Sequence, residues 1–369
     1  MHEYAAFPHE SAREEADPLR SAPAAPPAGL YALLQTASLG YKSFLALRAA
    51  LDVGLFAHLE EPQDADALAE RLGLDRRILS PLCGLLAQWG LLAEEDGRLR
   101  TSDEARIWLD PDSPLRQQPV TENMGETFRL WERLDSALIQ GPFDPQRAGI
   151  FGGAFLPALA AEALTGEVQR TADLVAAAPG FEDLRDLIDL GGGHGLYSLA
   201  LCARSRELRA EILDLEGVRD MAEANIARFG DGRVRFTAGD IRSASLGRER
   251  DAALLFYNPG GKRADLLERI RACLRPGGLF VSKHVFYARN EGSKSPLADL
   301  EWNLTAFPGV HKQANVYRFD GDLCTEEYLA LLERHFEILA DHGPEAFAAP
   351  DLGKFGDRLD SRLIVARRR

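Results

Sequence analysis

An α/β fold is expected, with a doubly wound, mostly parallel sheet preceded by a smaller all-helical domain. Three observations carry it. From residue 184 to the C-terminus, apolar strand-like runs alternate with helix-forming runs. One of those runs, LRDLIDL, passes straight into a glycine loop, GGGHG, and then into the helical stretch LYSLALCARS. Before residue 116 the pattern is two helices and a short hairpin.

The glycine loop comes first because its spacing is the most informative. It reads Asp189-x-Gly191-x-Gly193-x-Gly195. A strand, a tight turn and a helix N-terminus make a corner where backbone can approach a ligand that a Cβ would exclude. The dinucleotide fingerprint G-x-G-x-x-G fails in both registers. Its last glycine would fall on Leu196 or on Ser198. The D-x-G-x-G-x-G form instead resembles motif I of class I S-adenosylmethionine (SAM) methyltransferases.

Later strands extend that resemblance. AEILDLEGV ends a strand at Asp214, about 20 residues past Gly195, the length of one βαβ step. In the family an acid here accepts hydrogen bonds from the ribose, and Leu215 follows it. VRFTAGDI ends in Gly239-Asp240 and Ile241; the resemblance places an acid here against the adenine amino group. DAALLFYN ends at Tyr257-Asn258. GLFVSKHVF follows the turn signal Arg275-Pro276-Gly277-Gly278, and FEILADHG and SRLIVARRR are two further strands. Asp189, Asp214, Asp240 and Tyr257-Asn258 all fall at strand carboxyl ends, where ligands bind in such sheets. The cofactor-binding set is therefore Asp189, Gly191, Gly193, Gly195, Asp214, Leu215, Asp240, Ile241 and Tyr257, and the cofactor implied is SAM.

Over about residues 30–369 the chain resembles small-molecule O-methyltransferases of the plant and bacterial caffeate type. That resemblance implies a Rossmann-like class I sheet joined to an N-terminal winged-helix dimerisation domain. The expected division is a disordered lead-in (1–28), a winged-helix domain (29–115), a helical bridge lining the substrate pocket (116–180) and the SAM-binding domain (181–369).

Composition bounds the rest. A chain of 369 residues with 46% hydrophobic content can fill two cores. A net charge of −14 gives no electrostatic footprint for nucleic acid or an anionic membrane. No window reaches about 18 unbroken apolar residues, so no transmembrane span is expected. The lead-in has neither a basic n-region nor an apolar h-region, so no secretory signal is expected. Cys83, Cys202, Cys273 and Cys324 are scattered, which suggests thiols in a reducing cytoplasm and no zinc site.

In the N-terminal half, GLYALLQTASLGYKSFLALRAALDVGLFAHL is a long helical pattern. Asp64 can cap ADALAERLG, which Gly73 stops, and Asp75 can cap RRILSPLCGLLAQWG, which contains Pro81. LLAEEDGRLRT turns about Asp96-Gly97 as a hairpin. Arg76 and Arg77 are the only cations of the second helix, so burial in a homodimer is favoured over DNA reading. Leu45, Leu47, Leu51, Leu55 and Phe56 are the apolar set expected to need a partner. In the bridge, Phe128, Trp131, Phe151 and Phe155 are candidate pocket residues, as is Trp302 further on.

The family pattern breaks at the chemistry. The O-methyltransferases it resembles carry a His-Asp pair after strand four, and that His takes the acceptor's proton. Here the segment reads LLFYNPGGKRADLLERI, without a His and shorter. Three explanations stay open. His311, in an apparent inserted loop with Lys312, Asn315 and Tyr317, or His284, at the end of strand five, can act as base. Alternatively no base is needed and Tyr257 and Asn258 orient the acceptor; Asn258-Pro259 faintly resembles the amino-methyltransferase motif, which would make the acceptor a nitrogen. Or methyl transfer has been replaced by other SAM-assisted chemistry. No metal is implied. The expected protein is a cytoplasmic, homodimeric methyltransferase acting on a small aromatic or heterocyclic molecule.

Overall fold

The computed structural model describes residues 19, 25–144, 153–258, 260–292, 296–307, 309–313, 316–347 and 361–369. They fall into two compact units, residues 1–116 and 117–369.

The first unit opens with α1 (Ala28–Asp52), followed by α2 (Ala65–Leu72) and α3 (Arg76–Gln88). The Asp64 side chain accepts from the Asp66 and Ala67 amides, satisfying donors that a helix start leaves orphaned. Gly73 ends α2 at φ +64°, where a Cβ would be strained. Asp75 caps α3 through the Arg77 amide. Strands β1 (Leu92–Glu95) and β2 (Arg98–Thr101) pair antiparallel. Asp96 and Gly97 both take positive φ, as a tight hairpin turn requires. Ser102 caps α4 (Asp103–Leu109). The N-terminal unit is thus helical with one hairpin rather than all helical.

One expectation for this unit needs correction. Leu51, Leu55 and Phe56 do not await a partner; they are buried in the unit's own core with Leu59, Leu68 and Leu86. Leu47 packs against the same cluster, and only Leu45 of that set is exposed. The long helical pattern bends back at Gly54 (φ +66°), which folds its last apolar residues inward.

In the second unit, α5 (Gln118–Trp131), α6 (Leu134–Gln140), α7 (Phe155–Ala163) and α8 (Glu167–Ala176) precede the sheet. The sheet is built from β3 (Asp186–Leu190), β4 (Arg209–Asp214), β5 (Val234–Ala238), β6 (Arg250–Phe256) and β7 (Leu274–Val285), all parallel. Helices α9 (Leu196–Arg204), α10 (Arg219–Phe229) and α11 (Ala264–Cys273) make the crossovers. After α12 (Pro296–Asn303) come the strands β8 (Val310–Gln313) and β9 (Val316–Phe319), then α13 (Thr325–His335). Strands β10 (Phe336–His342) and β11 (Ser361–Arg368) complete the sheet in the order β10-β11-β7-β6-β3-β4-β5, with β11 antiparallel to both neighbours. This is the expected mixed α/β, Rossmann-like arrangement.

Its strands are apolar on both faces because helices cover both. Ala252–Phe256 of β6 are all buried. One core cluster joins α8 and α9 to one face; another joins α11 and α13 to the opposite face. The winding direction reverses at β3, which pairs with β4 on one side and β6 on the other. A crevice opens at such a point, and the glycine loop sits there.

Two local readings change. Arg275-Pro276-Gly277-Gly278 is not a turn ahead of strand five but lies inside β7 as a bulge. Arg250 pairs with Leu274 and Ala252 with Leu279, so the extra residues are absorbed there. A Cβ on Gly278 would meet the carbonyls of Arg275, Asp251 and Arg250 at 2.9–3.2 Å. His311 is not in a loop. It lies on β8, paired with Arg318 of β9, where Val310, Val316, Tyr317 and Phe319 favour strand.

Candidate active site

The site grows from the glycine loop. Gly191, Gly193 and Gly195 have φ of +66°, +50° and +73°, a region L side chains rarely occupy. Space confirms the need: a Cβ on Gly191 would lie 1.9 Å from Asn258 Nδ2, and one on Gly195 would lie 2.5 Å from Ile212 Cδ1. The Gly191 amide is tied to the Leu213 carbonyl of β4 at 2.8 Å. The loop leads into α9, whose N-terminal amides favour an anionic or electron-rich ligand.

The acids sit as their strands place them, with different surroundings. Asp189 is 1% exposed and lies beneath the loop. It accepts from Ser198 Oγ at 2.7 Å, and a Cβ on Gly192 would meet its carboxyl at 2.6 Å. Burial pushes its carboxyl up to about 6, the Ser198 hydroxyl opposes this, and Asp214 adds to it. Asp189 therefore braces the loop from below rather than facing the crevice. Asp214 ends β4 and accepts from the Gly193 and Leu215 amides at 2.8 and 2.7 Å. Burial raises its carboxyl, opposed by those two amides. Leu215 beside it is exposed and Ile241 is buried. Asp240 follows β5 and is gripped by Arg242, which lowers its carboxyl.

Tyr257 follows β6 at φ +49°, and Asn258 packs against Gly191. The Tyr257 hydroxyl donates to Glu167 Oε1 at 2.7 Å, and the Tyr197 hydroxyl reaches the same oxygen at 3.2 Å. Lys283, 0% exposed, donates to that oxygen at 2.6 Å and to Thr171 Oγ1 at 2.7 Å. Its ammonium lies 4.2 Å from the Phe347 ring centroid. Nothing in the helix patterns singled out Glu167. Lys283 did leave a signal, a cation inside the apolar run GLFVSKHVF.

The neighbouring residue, His284, points to the other face of β7. It is 3% exposed, and a Cβ on Gly261 would lie 2.9 Å from its Cε1. Its Nε2 is buried without a hydrogen-bond partner. Burial first, then Lys262, push its imidazole down to about 3, so it is neutral and weakly basic. Lys262 itself donates to the Val285 carbonyl at 3.0 Å and lies 3.8 Å from Asp322. His194, in the glycine loop, is also buried, and its Nδ1 accepts from the Leu196 amide.

The aromatic candidates Phe128, Trp131, Phe155 and Trp302 are all half-buried in this unit. Trp131 Nε1 reaches Glu301 at 3.4 Å, which joins α5 to α12. Next to Phe155, Leu156 comes within 3.5 Å of where a Gly193 Cβ would lie, so α7 borders the loop. Phe151, Pro259 and Asn315 lie outside the described residues. Lys312 and Tyr317 are partners in the backbone register of β8 and β9. Among the described residues no group of three or more potential metal ligands is found.

Comparisons with known proteins agree with this geometry. A family model described as an O-methyltransferase domain matches residues 158–317. The 3-hydroxy-5-methyl-1-naphthoate 3-O-methyltransferase of Streptomyces sahachiroi is 31% identical over 231 residues, 60% of this chain and 67% of that one. An uncharacterised protein of Methanocaldococcus jannaschii is 28% identical over 346 residues, covering 88% and 93% of the two chains. The human N-acetylserotonin methyltransferase structure in complex with SAM matches with a TM-score of 0.64 at 21% identity. That match covers 92% of this chain and 97% of that one.

Proposed function

This chain belongs to the SAM-dependent O-methyltransferase family, and from that premise we propose that it O-methylates a small aromatic or heterocyclic acceptor without the family's usual His-Asp pair. The observation that carries this reading is the glycine loop at the point where the sheet reverses, walled by Tyr257 and Asn258 and bordered by α7. SAM, when bound, supplies an electrophilic methyl group. The residues fit it: three glycines at positive φ let the loop turn tightly over Asp189, and Asp214 offers a carboxylate at the end of β4. The resemblance assigns Asp214 to the ribose and Asp240, with Leu215 and Ile241 beside them, to the base. The named activity of the Streptomyces relative, methylation of a naphthoate hydroxyl, supports an aromatic acceptor.

The acceptor's own groups set what the protein must do. Phe128, Trp131, Phe155 and Trp302 hold a flat ring, and Tyr257 and Asn258 orient its hydroxyl. Alignment alone is worth several orders of magnitude in rate. A proton must still leave the hydroxyl, and His311 on β8 is the imidazole we assign to take it. His284 is set aside because its burial leaves it weakly basic.

Residues 29–115 are proposed as a winged-helix dimerisation domain, 116–180 as the helical bridge lining the pocket and 181–369 as the SAM-binding domain. The four cysteines are separate buried thiols, which supports a reducing, cytoplasmic setting. Among the described residues no helix is long and apolar enough to cross a membrane.

Calorimetry tests the cofactor. SAM and S-adenosylhomocysteine should bind, and Asp214→Ala should weaken SAM by about 1–3 kcal/mol. Binding of NAD with indifference to SAM would overturn the assignment. Release of S-adenosylhomocysteine with phenolic acceptors tests the reaction. Failure of release with phenols, amines and activated carbons alike would favour a non-methylating reaction instead.

A further inference from the structure

Tyr257 is one of three non-glycine residues with positive φ among the described residues. The other two, Asp96 and Glu249, have short or flexible polar side chains; Tyr257 is a bulky aromatic, for which this backbone is unfavourable. Such a conformation persists only where the surroundings over-determine it. Here Lys283 is tied to both constraints, one directly and one through Glu167. The Tyr257 amide donates to the Lys283 carbonyl at 2.7 Å. At the other end, the Tyr257 hydroxyl donates to Glu167, and the Lys283 ammonium holds that same carboxylate oxygen at 2.6 Å.

The consequence reaches the glycine loop. With Tyr257 turned at φ +49°, Asn258 lands against Gly191, where its amide occupies the space of a missing Cβ. Tyr257 itself remains 38% exposed although its hydroxyl is anchored. Its anchor is shielded: Lys283 is 0% exposed, and the side chain of Glu167 is 12% exposed. Tyr197, Thr171, Ser361 and Phe347 complete the surroundings from α9, α8, β11 and the segment after β10.

We propose that Lys283 and Glu167 are positioning residues of the transfer site, holding Tyr257 by both ends and so placing its ring and Asn258 beside the glycine loop. This rests on the reading that Tyr257 and Asn258 line the acceptor side of the site. A relay of the acceptor's proton through Tyr257 is not invoked, because Glu167 is already paired with an ammonium and is a poor proton sink.

Removing one charge alone would leave the other buried and uncompensated, and the chain could fail to fold. The informative variant is therefore the double one, Lys283→Met with Glu167→Met, which removes both charges and the acceptor of the Tyr257 hydroxyl at similar volume. Tyr257→Phe removes only the outer anchor. Hydrogen exchange of the wild-type and double-variant chains, without ligand, reads the anchoring directly. The expected result is at least 10-fold faster exchange of the amides of Tyr257, Asn258 and residues 260–262, with β6 and β7 unchanged. With a competent acceptor, kcat should fall at least 10-fold in both variants, while the Kd for SAM of the double variant, which changes no cofactor-binding residue, stays within about 2-fold. Unchanged exchange at these amides would overturn the anchor. Loosened exchange with unchanged kcat and KM would overturn the positioning role, as would an equal loss of SAM affinity. If the wild-type chain methylates nothing, the function proposed above fails while the exchange result still decides the anchor.

Discussion

At the scale of single residues, Asp189 shows why a motif residue need not touch the ligand it signals. It is conspicuous in the sequence because it ends a strand before a glycine loop, yet it lies beneath that loop with Ser198. Its carboxyl, raised to about 6 by burial, gives a testable sign. The folded chain holds this proton more tightly than the unfolded one, whose carboxyl titrates near its ordinary value of 3.8. Stability from this group is therefore fully present at low pH. It is lost as pH rises from about 4 to about 6, by a sum on the order of 3 kcal/mol. Glu211 runs the other way: burial raises it, but Arg235 and Arg250 together outweigh that and bring it down to about 2, so its contribution is present above about 4.5 and lost below. Wild-type denaturation mixes both signs, and a difference measurement separates them. Asp189→Asn should gain stability relative to wild type by about 1–3 kcal/mol more at pH 7 than at pH 4 in urea melts. An unchanged difference across that range would mean Asp189 is not buried as a strained carboxylate.

Elements were legible in proportion to how local their causes are. The caps at Asp64 and Asp75, the stop at Gly73 and the Asp96-Gly97 turn depend on neighbours within a few residues, and each is read from the chain and found in place. The glycine loop and the acids at strand ends are local in the same sense. The Arg275–Gly278 stretch misled because its turn chemistry was overridden by pairing to β6, which turned it into a bulge. Lys283 and Glu167 were missed as a pair because 116 positions separate them and only the packing of α8 on the sheet brings them together. His311 was visible as an imidazole in an unusual segment, but its place on β8 follows from pairing with β9. This gives the catalytic test at the scale of elements. His311→Ala, on the hairpin, should lower kcat by about 10²–10⁴-fold with little change in SAM affinity. His284→Ala, inside β7, should lower the melting temperature and leave kcat of the folded enzyme near normal. Near-normal rates in both variants would remove histidine from the proton's path and leave orientation by Tyr257 and Asn258.

At the scale of the whole molecule, the case for self-association moves from the residues first expected to carry it to others. Leu51, Leu55 and Phe56 are spent on the core of the N-terminal unit. The earlier part of α1 is exposed instead; of this helix of 25 residues only Phe44, Ala50 and Leu51 are buried. Leu30, Tyr31, Leu33, Leu34, Leu39, Tyr41 and Leu45 are all exposed, Tyr31 at 64% and Leu39 at 59%. Single exposed leucines are ordinary, but seven large apolar side chains exposed on one helix are a density of the kind associated with interfaces. A stable homodimer buries about 800 Å² per partner, which a helix of this length can supply in large part. The chain should therefore scatter light as a particle of about twice 40.5 kDa at micromolar concentration. Leu34→Glu with Leu39→Glu should shift it toward the monomer, because burying two carboxylates against a symmetry mate is costly. Both substitutions lie on the solvent side of the N-terminal unit's core, so its melting temperature should change little. A wild-type chain that stays at 40.5 kDa across a wide concentration range would assign α1 to some other partner and sink the homodimer.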